Sequence, residues 1–401
     1  MRVALGIYIS VPFCRTKCSY CNFASDVFSR AVFERYVDRV CADIANAPHV
    51  EMGAKIEHEV DSIYLGGGTP TVLESAQLRR IFETVRQQFS VASEAEITVE
   101  CAPGTLAPSV VEGLLACGVN RVSLGVQSFA DAEAAAVGRL HKQATVREDI
   151  ARLRAAGITN INIDLIAGLP HQTKESWQYS LDETLVTHAP HVSVYMLEVD
   201  EDSRLGREVI AGGTRYHAHF VPDEEATADF YIVASEQLEA AGIAQYEISN
   251  FARPGSESRH NLKYWTRQPY LGFGVDAHSM LLSASPGAAA IRFATADVLE
   301  KYVAGIPLQK TEVSQAEALE ETFFLGLRLN RGVDLQEIEA NFGRERTHAL
   351  HSTIEELVAY GLLDRQDHFI RLTPRGRLLS NEVFQRFLSP SKQANPTRQL
   401  A

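Results

Sequence analysis

Three cysteines within eight residues, Cys14, Cys18 and Cys21 in the run YISVPFCRTKCSYCNF, are the densest group of reactive side chains in this chain. The C-x3-C-x2-C spacing follows an apolar run that reads as a strand, so one tight loop points three sulfurs at a common centre. Thiolates are soft ligands that select zinc or iron–sulfur clusters. Structural zinc takes four protein ligands, and no fourth cysteine or histidine lies close by in the sequence. A cubane [4Fe-4S] cluster on three thiolates keeps one iron open, where a small molecule can be ligated and reduced. Isolated cysteines usually end up in the core. That fate suits Cys41, Cys101 and Cys117, but not three thiols packed beside Arg15 and Lys17.

Other chemistry-bearing residues recur where apolar runs end. Gly66-Gly67-Gly68-Thr69-Pro70 closes one run, and its missing side chains let backbone groups approach a ligand. Glu100 closes the next and Gln127 the one after, while Asp164 sits inside INIDLIAGLP. Each alone reads as a turn, a helix cap or a satisfied polar group. One such feature at the end of each of five consecutive strands reads as a site.

The elements that must position these residues alternate along the first 200 residues. Apolar runs at Leu5–Phe13, Ser62–Thr69, Ile97–Pro103, Arg121–Phe129, Asn160–Pro170 and His191–Val199 are separated by helical periodicity at Val32–Ala45, Ala76–Phe89, Val110–Ala116, Val146–Ala155 and Glu175–Val186. Strand–helix alternation predicts βα units on a parallel sheet. In such sheets the chemistry gathers at the carboxyl ends of the strands. Six strands allow either an open doubly wound sheet or a partial barrel. A long helix is predicted at Asp223–Ala241, so residues 1–240 form the first unit. Residues 241–310 are rich in glycine, aromatics and histidine and read as an irregular segment. Residues 311–390 read as a small helical domain: helices at Ala316–Arg328, Leu335–Phe342 and Ala349–Tyr360, a hairpin from Leu362–Asp364 and Phe369–Leu372, and a last helix from Pro374. That order is winged-helix-like. The tail 391–401 reads as disordered.

At 401 residues with 45% hydrophobic and 22% charged residues, the chain has material for a large core. Its net charge of −13 argues against a nucleic-acid binder. The same holds for the C-terminal module, which from Thr311 carries 11 Lys/Arg against 13 Asp/Glu; phosphate affinity needs cation density. No run approaches the 18 or so apolar residues a membrane span requires. The N-terminus MRVALGIYIS enters a strand at once, without a leader. Scattered thiols and a cluster site favour a reducing setting, so a cytoplasmic location is expected.

The chain resembles the coproporphyrinogen-dehydrogenase-like branch of the radical S-adenosylmethionine (SAM) superfamily. The matching runs are YISVPFCRTKCSYC, YLGGGTPT, EITVECAPGTL, RVSLGVQSF, VGRLHK, NINIDLIAGLP and LTPRGRLLSNEVFQRFL. The resemblance implies a six-stranded partial (βα)6 barrel with an open lateral mouth, and a [4Fe-4S] cluster on Cys14, Cys18 and Cys21. It also implies a SAM pocket made by Tyr8, Gly67, Gly68, Thr69, Glu100, Gln127, Arg139 and Asp164. Within the branch, the dehydrogenases carry a further cysteine two positions after the third ligand and a long N-terminal extension. Here that position is Phe23, and only 13 residues precede Cys14. Both features resemble the HemW-type heme chaperones. So does His260-Asn261-Leu262-Lys263-Tyr264-Trp265, which is similar to the HNxxYW motif associated with heme in that branch. The resemblance therefore implies heme as a ligand, with His260 as its iron ligand and His278 as the rival, and an unidentified heme-acceptor protein as partner. Porphyrinogen decarboxylation is the alternative activity. His217 and His219, in RYHAHF, read as surface histidines that could at most make a weak metal pair.

Overall fold

The computed structural model describes residues 3–49, 53–285, 287–306 and 308–389. Six strands, β1 (Leu5–Val11), β2 (Glu59–Gly67), β3 (Ser90–Cys101), β4 (Arg121–Gln127), β5 (Asn160–Ala167) and β6 (His191–Met196), lie side by side in chain order. All neighbouring pairs are parallel. Their sequences are nearly continuous apolar runs because both faces are covered: in β1 every residue but Tyr8 is buried. The outer face is covered by helices with one apolar stripe each. Phe33–Asn46 buries Phe33, Tyr36, Val37, Val40 and Ile44, a helical repeat that packs on the sheet. The helices begin where local chemistry satisfies their free N–H groups, as where Thr173 and Ser176 form a reciprocal cap before Lys174–Val186. β6 does not return to β1, so the barrel is partial.

The segment 241–310 is not irregular, contrary to the sequence expectation. It holds β7 (Ala244–Gln245), β8 (Asn250–Ala252), β9 (Tyr270–Gly274), β10 (His278–Leu282) and β11 (Ala288–Ala294), and β12 (Gln309–Ser314) runs on from it. They extend the same sheet at both edges, giving the order β12-β11-β10-β9-β1-β2-β3-β4-β5-β6-β8-β7. β9 pairs parallel with β1 as a seventh parallel strand. Its glycines disguised it. A Cβ on Gly274 would stand 2.1 Å from the Ser10 carbonyl oxygen, and one on Gly272 would stand 2.2 Å from that of His278. Glycine here marks backbone approach within a sheet rather than a loop.

The boundary placed at 311 falls inside β12. The C-terminal domain starts at Ser314, whose side chain caps the helix Gln315–Gly326. It contains further helices at Leu335–Phe342, Arg344–His348 and His351–Ala359, then Pro374–Leu378 and Ser380–Gln385. β13 (Val333–Asp334), β14 (Leu363–Gln366) and β15 (Phe369–Leu372) form a small sheet in the order β13-β15-β14. This helices-then-hairpin module has its own core around Phe323, Ile338, Leu357, Ile370 and Phe384. The tail 391–401 lies outside the described residues. Among the described residues no helix is long and apolar enough to cross a membrane.

Candidate functional site at the carboxyl ends of the strands

The cysteine loop leaves β1 at its carboxyl end and is pinned at both sides. Cys14 N–H donates to Asp26 O and Asp26 N–H to Pro12 O, both at 2.9 Å, closing the loop base. Lys17 Nζ folds back to donate to Phe23 O and Ser25 O, each at 2.7 Å. Ser19 is held between Val137 O and Leu205 N–H. The cation beside the cysteines thus shapes the loop, and the three thiols face one cavity of about 1440 Å³. Thr69 Oγ1 lies 3.9 Å from Cys14 Sγ and Arg139 Nη1 3.6 Å from Cys18 Sγ. Both are donors placed to stabilise sulfur-borne negative charge. Among the described residues no three His, Cys, Asp or Glu side chains converge closely enough to hold a single metal ion. The donor set therefore fits a group that takes each thiolate on a different metal atom, as an iron–sulfur cluster does, and not a lone zinc.

Glu100 and Asp164 share this cavity with the cysteines. Glu100 Oε1 accepts from Tyr64 Oη at 2.8 Å and Oε2 from Gly67 N–H at 3.2 Å. Burial and the neighbouring Asp164 push its carboxyl up to about 7, against those two bonds. Burial also raises Asp164, although Ser123 Oγ donates to its Oδ2 at 2.9 Å and Asn162 Nδ2 to its Oδ1 at 2.7 Å. Two acids without an ion-pair partner among the described residues, in one cavity, are matched by a cationic ligand.

Gln127 ends β4 with φ 70, a left-handed backbone that costs a residue with a Cβ. The pairing with β5 slips between Gly125 and Gln127, and that irregularity turns the Gln127 side chain into the cavity. Its Oε1 is buried and has no hydrogen-bond partner among the described residues. Arg139 enters from the loop after the helix Asp131–Ala136 and donates through Nη2 to Gly125 O. A Cβ on Gly125 would stand 3.0 Å from Arg139 Nη2 and 3.1 Å from Gln127 Nε2, so a side chain there would press on both groups.

The glycine run also has a structural part. The N–H groups of Gly67, Gly68 and Thr69 are already donating, to Glu100, Val11 O and Phe13 O. A Cβ on Gly68 would stand 2.7 Å from Phe13 O, and one on Gly66 2.9 Å from Glu100. The run brings β2 against the root of the cysteine loop and makes space for Glu100.

Tyr8 stands apart from the cavity lining. It sits in mid β1, not beside the cysteine loop, with its ring 6.1 Å from Tyr64 and 6.3 Å from His260.

His260 is not presented to any ligand, and its expected place as a heme ligand is withdrawn. It is 1% exposed. Nδ1 is 3.0 Å from Ser62 Oγ and Nε2 is 2.8 Å from Tyr264 Oη, so neither ring nitrogen is left for iron. Burial, then Lys263, lowers its pKa to about 3 and keeps the imidazole neutral. Its neighbours are Gly6 and Ser62 near the amino ends of β1 and β2, away from the cysteine loop. The helix Arg259–Trp265 that carries it is a staple. Lys263 pairs with Asp61 at 2.7 Å, and Arg328 of the C-terminal domain lies over Trp265, 4.2 Å from the ring centroid. His278, at the start of β10, is exposed at 63% of its side chain and lies 3.9 Å from Asp276.

The structure thus brings Cys14, Cys18, Cys21, Gly67, Gly68, Thr69, Glu100, Gln127, Arg139 and Asp164 around one cavity and leaves Tyr8 and His260 outside it. Sequence reasoning missed Tyr64, Ser123, Gly125 and Asn162. The signal for one of them was present: Asn162 is polar and stands two residues before Asp164 in a buried strand, so the two share one face. Cys101 and Cys117 are buried in the core and Cys41 packs against it, as expected.

Comparison with known proteins places the chain in a family. Residues 8–183 match the family model described as Radical SAM superfamily, and residues 313–379 match the HemN C-terminal domain. The curated protein "Heme chaperone HemW" of Bacillus subtilis (strain 168) is 34% identical over 95% of this chain and 98% of its own length. That of Lactococcus lactis subsp. lactis (strain IL1403) is 33% identical over 95% of this chain and 96% of its own. In fold, the chain superimposes on coproporphyrinogen III oxidase (HemN) from Escherichia coli with a TM-score of 0.82 at 24% identity, covering 96% of this chain and 90% of that one. The chain belongs to the radical SAM superfamily and, within it, to the HemW family.

Proposed function

We propose that this protein binds heme and passes it to an acceptor protein in the cytoplasm, with a [4Fe-4S] cluster and SAM as resident cofactors. The observation that carries the reading is the match over nearly the whole chain to proteins named heme chaperone HemW. Phe23 supports it: where the dehydrogenase branch has a cysteine, this chain has a phenylalanine that is 63% exposed on the cluster loop. Cys14, Cys18 and Cys21 would hold three irons, and the bound cluster would supply an electron and one open coordination position. Arg139 and Thr69 would donate towards the ligating sulfurs. Glu100 and Asp164 would accept from the ammonium and hydroxyl groups of SAM, and Gln127 Oε1 would take a further donor. With His260 withdrawn, His278, exposed at 63% of its side chain, is the remaining one of the two candidates for the heme iron.

The second reading is oxidative decarboxylation of coproporphyrinogen III, which the HemN-like fold accommodates. It would use the same cysteines and the same acids, so neither separates the two. The discriminating assay is incubation of anaerobically reconstituted protein with SAM, a reductant and coproporphyrinogen III, followed by product analysis. The chaperone reading expects unchanged substrate. Protoporphyrinogen formation replaces it with the enzyme reading.

A further inference from the structure

We propose that the Ser25 hydroxyl, together with that of Thr69, is a positioning donor to the Cys14 sulfur that makes a cluster on the cysteine loop easier to reduce. This role rests on the cluster reading above and is independent of heme. Ser25 is 5% exposed and lines the cavity that the three cysteines face. Its Oγ is buried and has no hydrogen-bond partner among the described residues. Buried hydroxyls in native proteins are nearly always paired, and one that is not calls for an explanation.

The loop fixes this hydroxyl beside Cys14. Ser25 N–H donates to Phe23 O at 2.7 Å, and Ser25 O accepts from Lys17 Nζ at 2.7 Å. The next residue, Asp26, accepts the Cys14 N–H on its carbonyl at 2.9 Å. Ser25 therefore stays next to Cys14 unless the base of the loop opens. Thr69 comes from a different element, the segment after β2, where its own N–H is held by Phe13 O at 2.7 Å. Its Oγ1 lies 3.9 Å from Cys14 Sγ. Burial raises the Cys14 thiol while Ser25, then Thr69, pull it back down, which agrees with two hydroxyls close to one sulfur.

One electron taken up by a [4Fe-4S] cluster lowers its charge from 2+ to 1+, and part of the added negative charge falls on the ligating sulfurs. Donors to those sulfurs stabilise the reduced state more than the oxidised one and so raise the potential. A hydroxyl proton rotates freely to meet an acceptor. The Ser25 hydroxyl has no bond to give up, and the charge on the Cys14 sulfur is the acceptor its place offers.

The test is an anaerobic reductive titration of the cluster-loaded protein with dithionite, without SAM, followed by the electron paramagnetic resonance of the reduced cluster. Iron and sulfide analysis first establishes that each protein is loaded. Ser25→Ala and Thr69→Val should each lower the equilibrium constant for reduction by about threefold. The double variant should lower it by about tenfold, which is about 59 mV for a one-electron couple. Thr69→Ser keeps the hydroxyl and should keep the potential of the intact protein. Transfer of the intact protein to D2O should also shift the iron–thiolate bands of its resonance Raman spectrum, a readout that needs no variant to load. A loaded Ser25→Ala protein with an unchanged potential, or no shift in D2O, would overturn the role of Ser25 and leave the cluster reading standing. An intact protein that assembles no cluster would overturn both.

Discussion

At the residue scale, the account turns on what each side chain already touches. The acid pair shows this most clearly. A carboxyl at about 7 is mostly protonated at pH 6 and mostly ionised at pH 8. A cationic ligand favours the carboxylate and lowers that pKa, so binding below pH 7 must expel a proton and is weakened. SAM affinity should therefore be about tenfold lower at pH 6 than at pH 8. Glu100→Gln should remove most of that dependence, and an equally steep profile in Glu100→Gln would assign the titration elsewhere. The thiols make a simpler prediction. Cys14→Ala, Cys18→Ala and Cys21→Ala should each prevent cluster assembly, because three ligands leave none spare, whereas Cys41→Ala should not. Iron and sulfide analysis after anaerobic reconstitution reads both. His260 gives a stability prediction. Truncating it leaves Ser62 and Tyr264 without their buried partner, which costs on the order of 2–4 kcal/mol. His260→Ala should lower Tm and leave the Soret band of the heme-bound protein in place; loss of the band with an unchanged Tm would restore His260 as ligand.

At the element scale, the strands β1 to β6 were legible because buried parallel strands read as apolar runs between amphipathic helices. The cysteine loop and the acids were legible because their types are uncommon at strand ends. Several features depended on long-range placement and were not. Gly272 and Gly274 look like loop residues until β1 and β10 are beside them. The HNLKYW run looks the same whether its imidazole faces iron or Ser62. Gln127 carries no sequence mark of its left-handed backbone. The helix Arg259–Trp265 is better understood as the joint between the barrel and the C-terminal domain. Trp265→Ala removes the surface under Arg328, whose other partner is the fully buried Glu247 at 3.5 Å. A loss on the order of 2 kcal/mol is expected, with faster proteolysis near Ser314. Unchanged Tm and cleavage would show that the domains are joined elsewhere.

At the scale of the whole molecule, one continuous sheet carries the cysteine loop, the acid pair and β9 to β12, while the C-terminal module packs against it through Arg267 and Arg292, both paired with Glu321 at 2.9 Å. Arg328 and Arg375 of that module reach the same cavity that the cysteines face. A fold shared with HemN and a family shared with HemW leave heme itself as the separating ligand. The most direct measurement is a titration of the cluster-loaded protein with heme, followed in the Soret region. The account predicts saturation at one heme per chain and a shifted band in His278→Ala. Failure of the intact protein to bind heme would contradict it.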